Sequence, residues 1–205
     1  MEKSNSRLVK YPTIPAFSMK EYYHPKKIKI PLATKPVLGK ILILRGPSGA
    51  GKTTISQLLV EEYPNKVKAF HLGFERRKVH LGFSVHDKKL LLCKLKKRID
   101  LALKKYKFII LDEMFDFEGQ FLTVRENHLH AKILVIYLDL PMSISIKRAS
   151  SRNRGKYYTP LKKEHIEGLW YLAHFVKCGK IVNSNKNIDD VLQKVISILR
   201  KEEYL

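Results

Sequence analysis

Apolar residues in this chain follow two spacings. Residues 40–44, 108–111 and 133–138 are short continuous apolar runs without polar alternation, the pattern of parallel strands covered on both faces. Residues 67–70 form a weaker run of the same kind, and residues 180–182 a last short one. Helical spacing fills the gaps, over 53–62, 88–106, 142–150, 161–176 and 188–203. In the second of these, Leu91, Leu92, Leu95, Ile99 and Leu103 share one face. Lys89, Lys94, Lys96, Lys97 and Lys104 occupy the other, the ordinary solvated side of an amphipathic helix. Five strands alternating with helices predict a three-layer α/β domain: a five-stranded parallel sheet with right-handed crossovers and helices on both faces.

That domain is expected to span 37–205. Residues 1–36 differ, with Pro12, Pro15, Pro25, Pro31 and Pro36 among Tyr11, Phe17, Tyr22, Tyr23 and the basic Lys26, Lys27 and Lys29. Each proline removes an amide donor and restricts its predecessor, so a long helix is excluded there. Two readings stand: a basic arm that packs across the domain or docks a partner, and a disordered tail.

The chemistry enters at Gly46-Pro-Ser-Gly-Ala-Gly-Lys-Thr53, a full G-x-x-x-x-G-K-[ST] match placed after an apolar strand and at the start of a helix. Gly46, Gly49 and Gly51 let the backbone wrap, so amides through Pro47, Ser48, Ala50 and their neighbours converge on phosphate oxygens. Lys52 is expected to reach the β- and γ-phosphates and the Thr53 hydroxyl to ligate magnesium, with Thr54 close to the phosphates. The ligand is a nucleoside triphosphate, ATP or GTP, with Mg.

Ligands of doubly wound sheets gather at the carboxyl ends of strands. Asp112 ends one strand and is the candidate second magnesium ligand, directly or through water. Glu113 is a candidate to position or deprotonate the attacking group, the alternative being a loop carboxylate. Asp139 ends the next strand, where Pro141 points to a turn-shaping role. Glu75 is a candidate general base within 71–78, with Arg76 and Arg77 as candidate ligands for acceptor or phosphate; a mixed-charge loop is the alternative. Arg148, Arg152 and Arg154 form a basic segment around Gly155, suited to neutralise charge on a transferring phosphoryl group. A solvated basic turn is the plain alternative. His128 and His130 have no partners in sequence that complete a zinc geometry.

Composition changes the picture in one respect. Forty Lys and Arg against 19 Asp and Glu give a formal charge of +21, which favours polyanionic partners such as nucleic acid. Lysine-rich surfaces also occur in proteins that bind none. Only Cys93 and Cys178 are present, too few for a disulfide framework. No stretch approaches the ~20 apolar residues of a membrane span, and the N-terminus lacks the apolar core of a secretory signal. A cytoplasmic protein without a membrane partner is expected.

From residue 40 onward the chain resembles small P-loop kinases of the nucleoside-monophosphate-kinase type. The likeness rests on the phosphate loop, the strand ending Leu-Asp-Glu113, and Tyr137-Leu-Asp-Leu-Pro141 followed by Arg148-x-x-x-Arg152-x-Arg154-Gly155. Ile181-Val-Asn-Ser184 before a closing helix completes it. Within that group it looks most like chloramphenicol-phosphotransferase-like kinases and polynucleotide 5′-hydroxyl kinases. The resemblance implies γ-phosphoryl transfer to a small-molecule or nucleotide acceptor bound between the second and third strands, under a short LID built on Arg148, Arg152 and Arg154. A polynucleotide 5′-hydroxyl acceptor, or a nucleotide-binding regulator or ATPase, is the alternative. Hydroxyl-phosphorylating members carry an aspartate base just after the second strand, where this chain has His71, Leu72 and Gly73. Either Glu75 or Asp112 substitutes, or the acceptor is a phosphate that needs no base.

Overall fold

Continuous apolar strands must be covered on both sides, and the computed structural model shows how. It describes residues 26–27, 29–82, 84–115, 117–151 and 161–205. In chain order the elements are β1 (Lys26–Lys27), β2 (Gly39–Arg45), α1 (Lys52–Glu62), β3 (Val67–His71), α2 (Leu72–Lys78), α3 (Val85–Lys105), β4 (Phe108–Asp112) and α4 (Glu118–Asn127). There follow β5 (Ala131–Asp139), α5 (Met142–Ser150), α6 (Lys163–Phe175), β6 (Val176–Lys177), β7 (Lys180–Asn183) and α7 (Ile188–Lys201). Five strands form one sheet in the order β3-β4-β2-β5-β7, with every pairing parallel. β1 and β6 form a separate two-stranded parallel ladder.

Successive strand residues point to opposite faces, and the core divides accordingly. Leu42, Leu44, Phe108 and Ile110 join Ile55 and Leu59 of α1 and Val191, Val195 and Leu199 of α7 on one face. Ile41, Ile43, Ile109 and Leu111 join Leu91, Leu95 and Ile99 of α3 and Phe121 and Val124 of α4 on the other. Each buried leucine or isoleucine contributes about 1.5–3 kcal/mol. The result is the three-layer architecture that the sequence predicts.

Several boundaries move for local reasons. α3 begins at Val85 because the Ser84 hydroxyl accepts the Asp87 amide (3.0 Å), capping a turn whose apolar positions are weak. α2 replaces the loop considered for 71–78 and follows β3 without a break. α4 has no clear apolar period, because Gln120, Thr123 and Arg125 are buried beside Phe121 and Val124. The Arg125 guanidinium supports the turn after α4, donating to the carbonyl of Ala131 at 2.8 Å. Tyr204, fully buried, plugs the amino end of the sheet, its one hydroxyl proton directed to Lys132 O (2.7 Å) with Ile41 O as a longer second acceptor (3.2 Å). Lys89, Lys94, Lys96, Lys97 and Lys104 of α3 face solvent. Residues 1–25, most of the expected N-terminal arm, lie outside the described residues, as do Arg152 and Arg154.

Candidate functional site

The carboxyl edge of the sheet carries the loop from Gly46 to Gly51, between β2 and α1. Its backbone conformation requires glycine at defined points. A Cβ on Gly46 would stand 2.5 Å from Leu138 O of β5, a spacing no side chain tolerates. Gly51 takes the left-handed conformation (φ 86°, ψ 12°) as the N-cap of α1 and supplies no side-chain cap. The first amides of α1 are therefore left for a ligand at the positive end of the helix dipole. Lys52 lies over the loop, its Nζ donating to Gly46 O and Pro47 O at 2.8 Å each. Thr53 is half-buried and Thr54 exposed. Behind the loop stands α5, where Ser145 Oγ donates to Ser48 O at 2.7 Å. Arg148, one turn further along α5, donates from Nη1 to Ser184 O at 3.1 Å.

Asp112 ends β4, level with Leu44 on β2 and with His71 on β3. It is almost fully buried, and His71 Nδ1 lies 2.6 Å from its Oδ2. With Asp112 as the acceptor, Nδ1 carries the proton of this bond. Glu113, next in the chain, accepts from Arg76 Nη1 at 3.3 Å, and Arg76 is itself buried. Glu75 lies on α2 with its carboxylate turned onto α3. Arg98 engages both of its oxygens (2.6 and 3.3 Å) and Lys78 one of them (3.2 Å). The hydrogen bond from Arg98 holds the Glu75 carboxyl below its ordinary range, against the opposing effect of burial. Arg98 is correspondingly raised by Glu75. Asp139 meets His174 Nε2 at 3.0 Å, and its carbonyl accepts from Ser184 N and Oγ, so it organises the turns around β5 and β7.

Three residues outside the sequence candidates complete the site. His71 holds Asp112. Ser145 ties α5 to the phosphate loop. Arg45, directly before Gly46 and fully buried, donates to Ala173 O, Val176 O (2.7 Å) and Met114 O, with its guanidinium 4.6 Å from the Tyr137 ring centroid. An arginine ending an otherwise apolar run is a visible signal for the last. The other two depend on strand register and helix packing.

The donors present suit a magnesium–nucleotide. Uncapped amides at the start of α1 match phosphate oxygens, and the Thr53 hydroxyl and Asp112 carboxylate are the hard oxygen donors that magnesium takes. Among the described residues no three His, Cys, Asp or Glu side chains gather as a metal cluster, and no described helix is long and apolar enough to cross a membrane.

No protein-family model and no curated protein matches the chain. Solved structures do. The Mycobacterium tuberculosis APS kinase in complex with AMPPNP and APS superposes with a TM-score of 0.58 at 18% identity, over 79% of this chain and 98% of that one. The chain shares the fold of this kinase. A gluconokinase from Sinorhizobium meliloti 1021 aligns with a TM-score of 0.57 at 12% identity, covering 80% of this chain and 93% of its own. A sugar kinase from Janibacter sp. HTCC2649 aligns at 0.56 and 17% identity, over 79% and 95%. In this fold the strand order 3-4-2-5-7 brings the loop at 46–51, Asp112 and His71 to one edge.

Proposed function

We propose that the protein is a magnesium-dependent kinase that transfers the γ-phosphoryl group of ATP to a small-molecule or nucleotide acceptor. The observation carrying this reading is the intact phosphate loop, with Lys52 over its carbonyls and a buried carboxylate, Asp112, on the strand beside it. The amides of 46–53 would cradle the phosphates. Lys52 would exchange its two loop carbonyls for phosphate oxygens, trading neutral acceptors for anionic ones. Thr53 and Asp112 would hold magnesium, which when bound draws charge from the transferring group. His71, bonded to Oδ2, would hold Asp112 in one rotamer and leave Oδ1 for the metal. Arg148 stands where α5 meets the loop and would add a further cation, joined by Arg152 and Arg154 of the expected LID.

The acceptor enters between β3 and β4 in this reading, beside His71. Glu75 has a structural role here, because Arg98 and Lys78 already occupy its oxygens. Glu113 fixes Arg76. Phosphoryl transfer through a loose transition state depends on alignment and charge more than on a strong base, so the missing aspartate after β3 does not count against a hydroxyl acceptor. The finer likeness to chloramphenicol-phosphotransferase-like and polynucleotide kinases belongs to this proposal, as does location in the cytoplasm.

An acceptor screen with γ-labelled ATP, across nucleosides, nucleotides, small alcohols and sugars, tests it. Label should pass to one class and vanish in Lys52→Ala. Label transfer unchanged in that variant would place the chemistry elsewhere. Hydrolysis indifferent to every acceptor would favour an ATPase instead.

A further inference from the structure

Opposite the loop at 46–51, at the amino end of the sheet, three stretches of chain without Asp or Glu come together: 22–60, 101–111 and 127–138. Hydrogen bonds and packing join them. Thr34 N donates to Leu129 O at 2.9 Å and Leu38 N to His130 O at 3.0 Å, and the Thr34 hydroxyl also donates to Leu129 O at 3.1 Å. Gly39 lies on α3, where a Cβ would stand 2.9 Å from the Leu103 side chain. Ile30 packs against the core between α3 and α4, so residues 30–38 are held at both ends. The side chains left outside are apolar and cationic. Leu32 is 92% exposed, Leu38 66%, Leu129 50% and Val37 47%. These are four of the ten large apolar side chains exposed among the described residues, a concentration rather than ordinary scatter. Exposed Lys29 and Lys35 lie in the same segment, and exposed Lys104 and Lys105 follow Leu103 on α3. Nearby acids are engaged, Asp100 by Lys96 and His128 and Glu202 by Lys180. Glu126, less than a turn before Leu129, and Glu203, whose carbonyl takes Lys40, mark the border.

Leucines that stand up singly among lysines have a defined complement. A bilayer interface takes such side chains at its acyl boundary while anionic headgroups take the lysines. Nucleic acid would use the lysines and leave the leucines in water. A second copy of this chain would set the same lysines against one another across a two-fold axis. A protein partner would have to match this relief in shape; a membrane needs no such match. The expectation of no membrane partner rests on the lack of a spanning segment, and binding at the surface requires none.

We propose that the amino end of the sheet docks on an anionic membrane surface, with Leu32, Leu38 and Leu129 at the headgroup–acyl boundary and the surrounding lysines on acidic headgroups. β2 is seven residues long, so the loop at 46–51 would stand about 20 Å further out, open to solution. The docking is independent of the kinase reading.

Co-sedimentation of the full chain with sucrose-loaded vesicles tests it, comparing phosphatidylcholine alone with a phosphatidylcholine–phosphatidylserine mixture. The mixture should carry the protein down and phosphatidylcholine should not. Leu38→Ser and Leu129→Ser leave the charge of +21 untouched, yet each should weaken binding about tenfold. Lys35→Ala should weaken it about fivefold. Phe74→Ser, an equally exposed apolar position at the opposite edge, should bind like wild type. Leu38→Trp should bind at least as tightly as wild type, and vesicles should shift its emission further to the blue than that of wild type. Wild-type affinity in both serine variants would mean adsorption by charge alone and overturn the proposal. So would Leu38→Trp emission that vesicles leave unchanged, or binding lost in Phe74→Ser instead. A dimer that sedimentation velocity detects without vesicles, and that Leu38→Ser abolishes, would give the patch to a second copy.

Discussion

Asp112 shows how much a single contact decides at the residue scale. A carboxylate at a strand end is visible in the sequence; its bond to His71 is not, because it depends on β3 and β4 pairing in one register. A one-residue slip would turn His71 to the other face. His71→Ala should therefore lower kcat by about 10–100-fold while leaving ATP affinity nearly unchanged. His71→Asn, whose amide still donates from the same place, should recover most of the loss, and steady-state kinetics on the three proteins measures it. Equal activity in all three would show that Asp112 needs no help. Glu75 makes the opposite point, since its position invites a catalytic role while its partners assign another. Its carboxyl is held below the ordinary glutamate value of 4.5, chiefly by Arg98. The unfolded chain thus binds the proton more readily, and the ion pair stabilises the fold fully above that value, losing its contribution as pH falls through the depressed folded value. Glu75→Gln should be less stable than wild type at neutral pH, and the gap should close in acid. Denaturant unfolding at several pH values reads this, and a gap constant with pH would contradict it.

Elements were legible in proportion to how apolar their buried face is. The strands at 40–44, 108–111 and 133–138 stand out because both of their faces are covered. α4 does not, because its inner face buries Gln120 and spends Thr123 and Arg125 on local hydrogen bonds rather than on an apolar stripe. α2 is too short for a period to show in its seven residues. β1 and β6 are two residues each and arise only from tertiary pairing. The C-terminal turn carries a similar hidden role. Tyr204 lies against Phe108 with ring centroids 5.6 Å apart, and burial pushes its phenol pKa up. Tyr204→Phe should cost about 1 kcal/mol through loss of its hydroxyl hydrogen bond. Tyr204→Ala should cost about 3–5 kcal/mol, since it also leaves a cavity. Thermal unfolding separates the two. Similar losses for both would mean that the hydroxyl, not the ring, holds the strand ends.

For the whole molecule, the parallel sheet brings to one edge what the sequence disperses over more than a hundred residues: the loop at 46–53, His71, Asp112, Arg148 and Ser184. The loop at 46–53 was readable because its motif is local and the phosphate binding proposed for it needs little beyond backbone amides. The proposed acceptor side was not, because it would be built from side chains of β3, α2, α3 and β4 together. The central claim is that residues 46–53 form a cup for a triphosphate with Lys52 at the rim. Isothermal calorimetry of AMPPNP with magnesium, on wild type and Lys52→Ala, tests it most directly. The wild type should bind, and the variant should lose about tenfold or more, the worth of a charge-assisted hydrogen bond. No binding heat at any temperature, or equal affinity in the two proteins, would contradict the account.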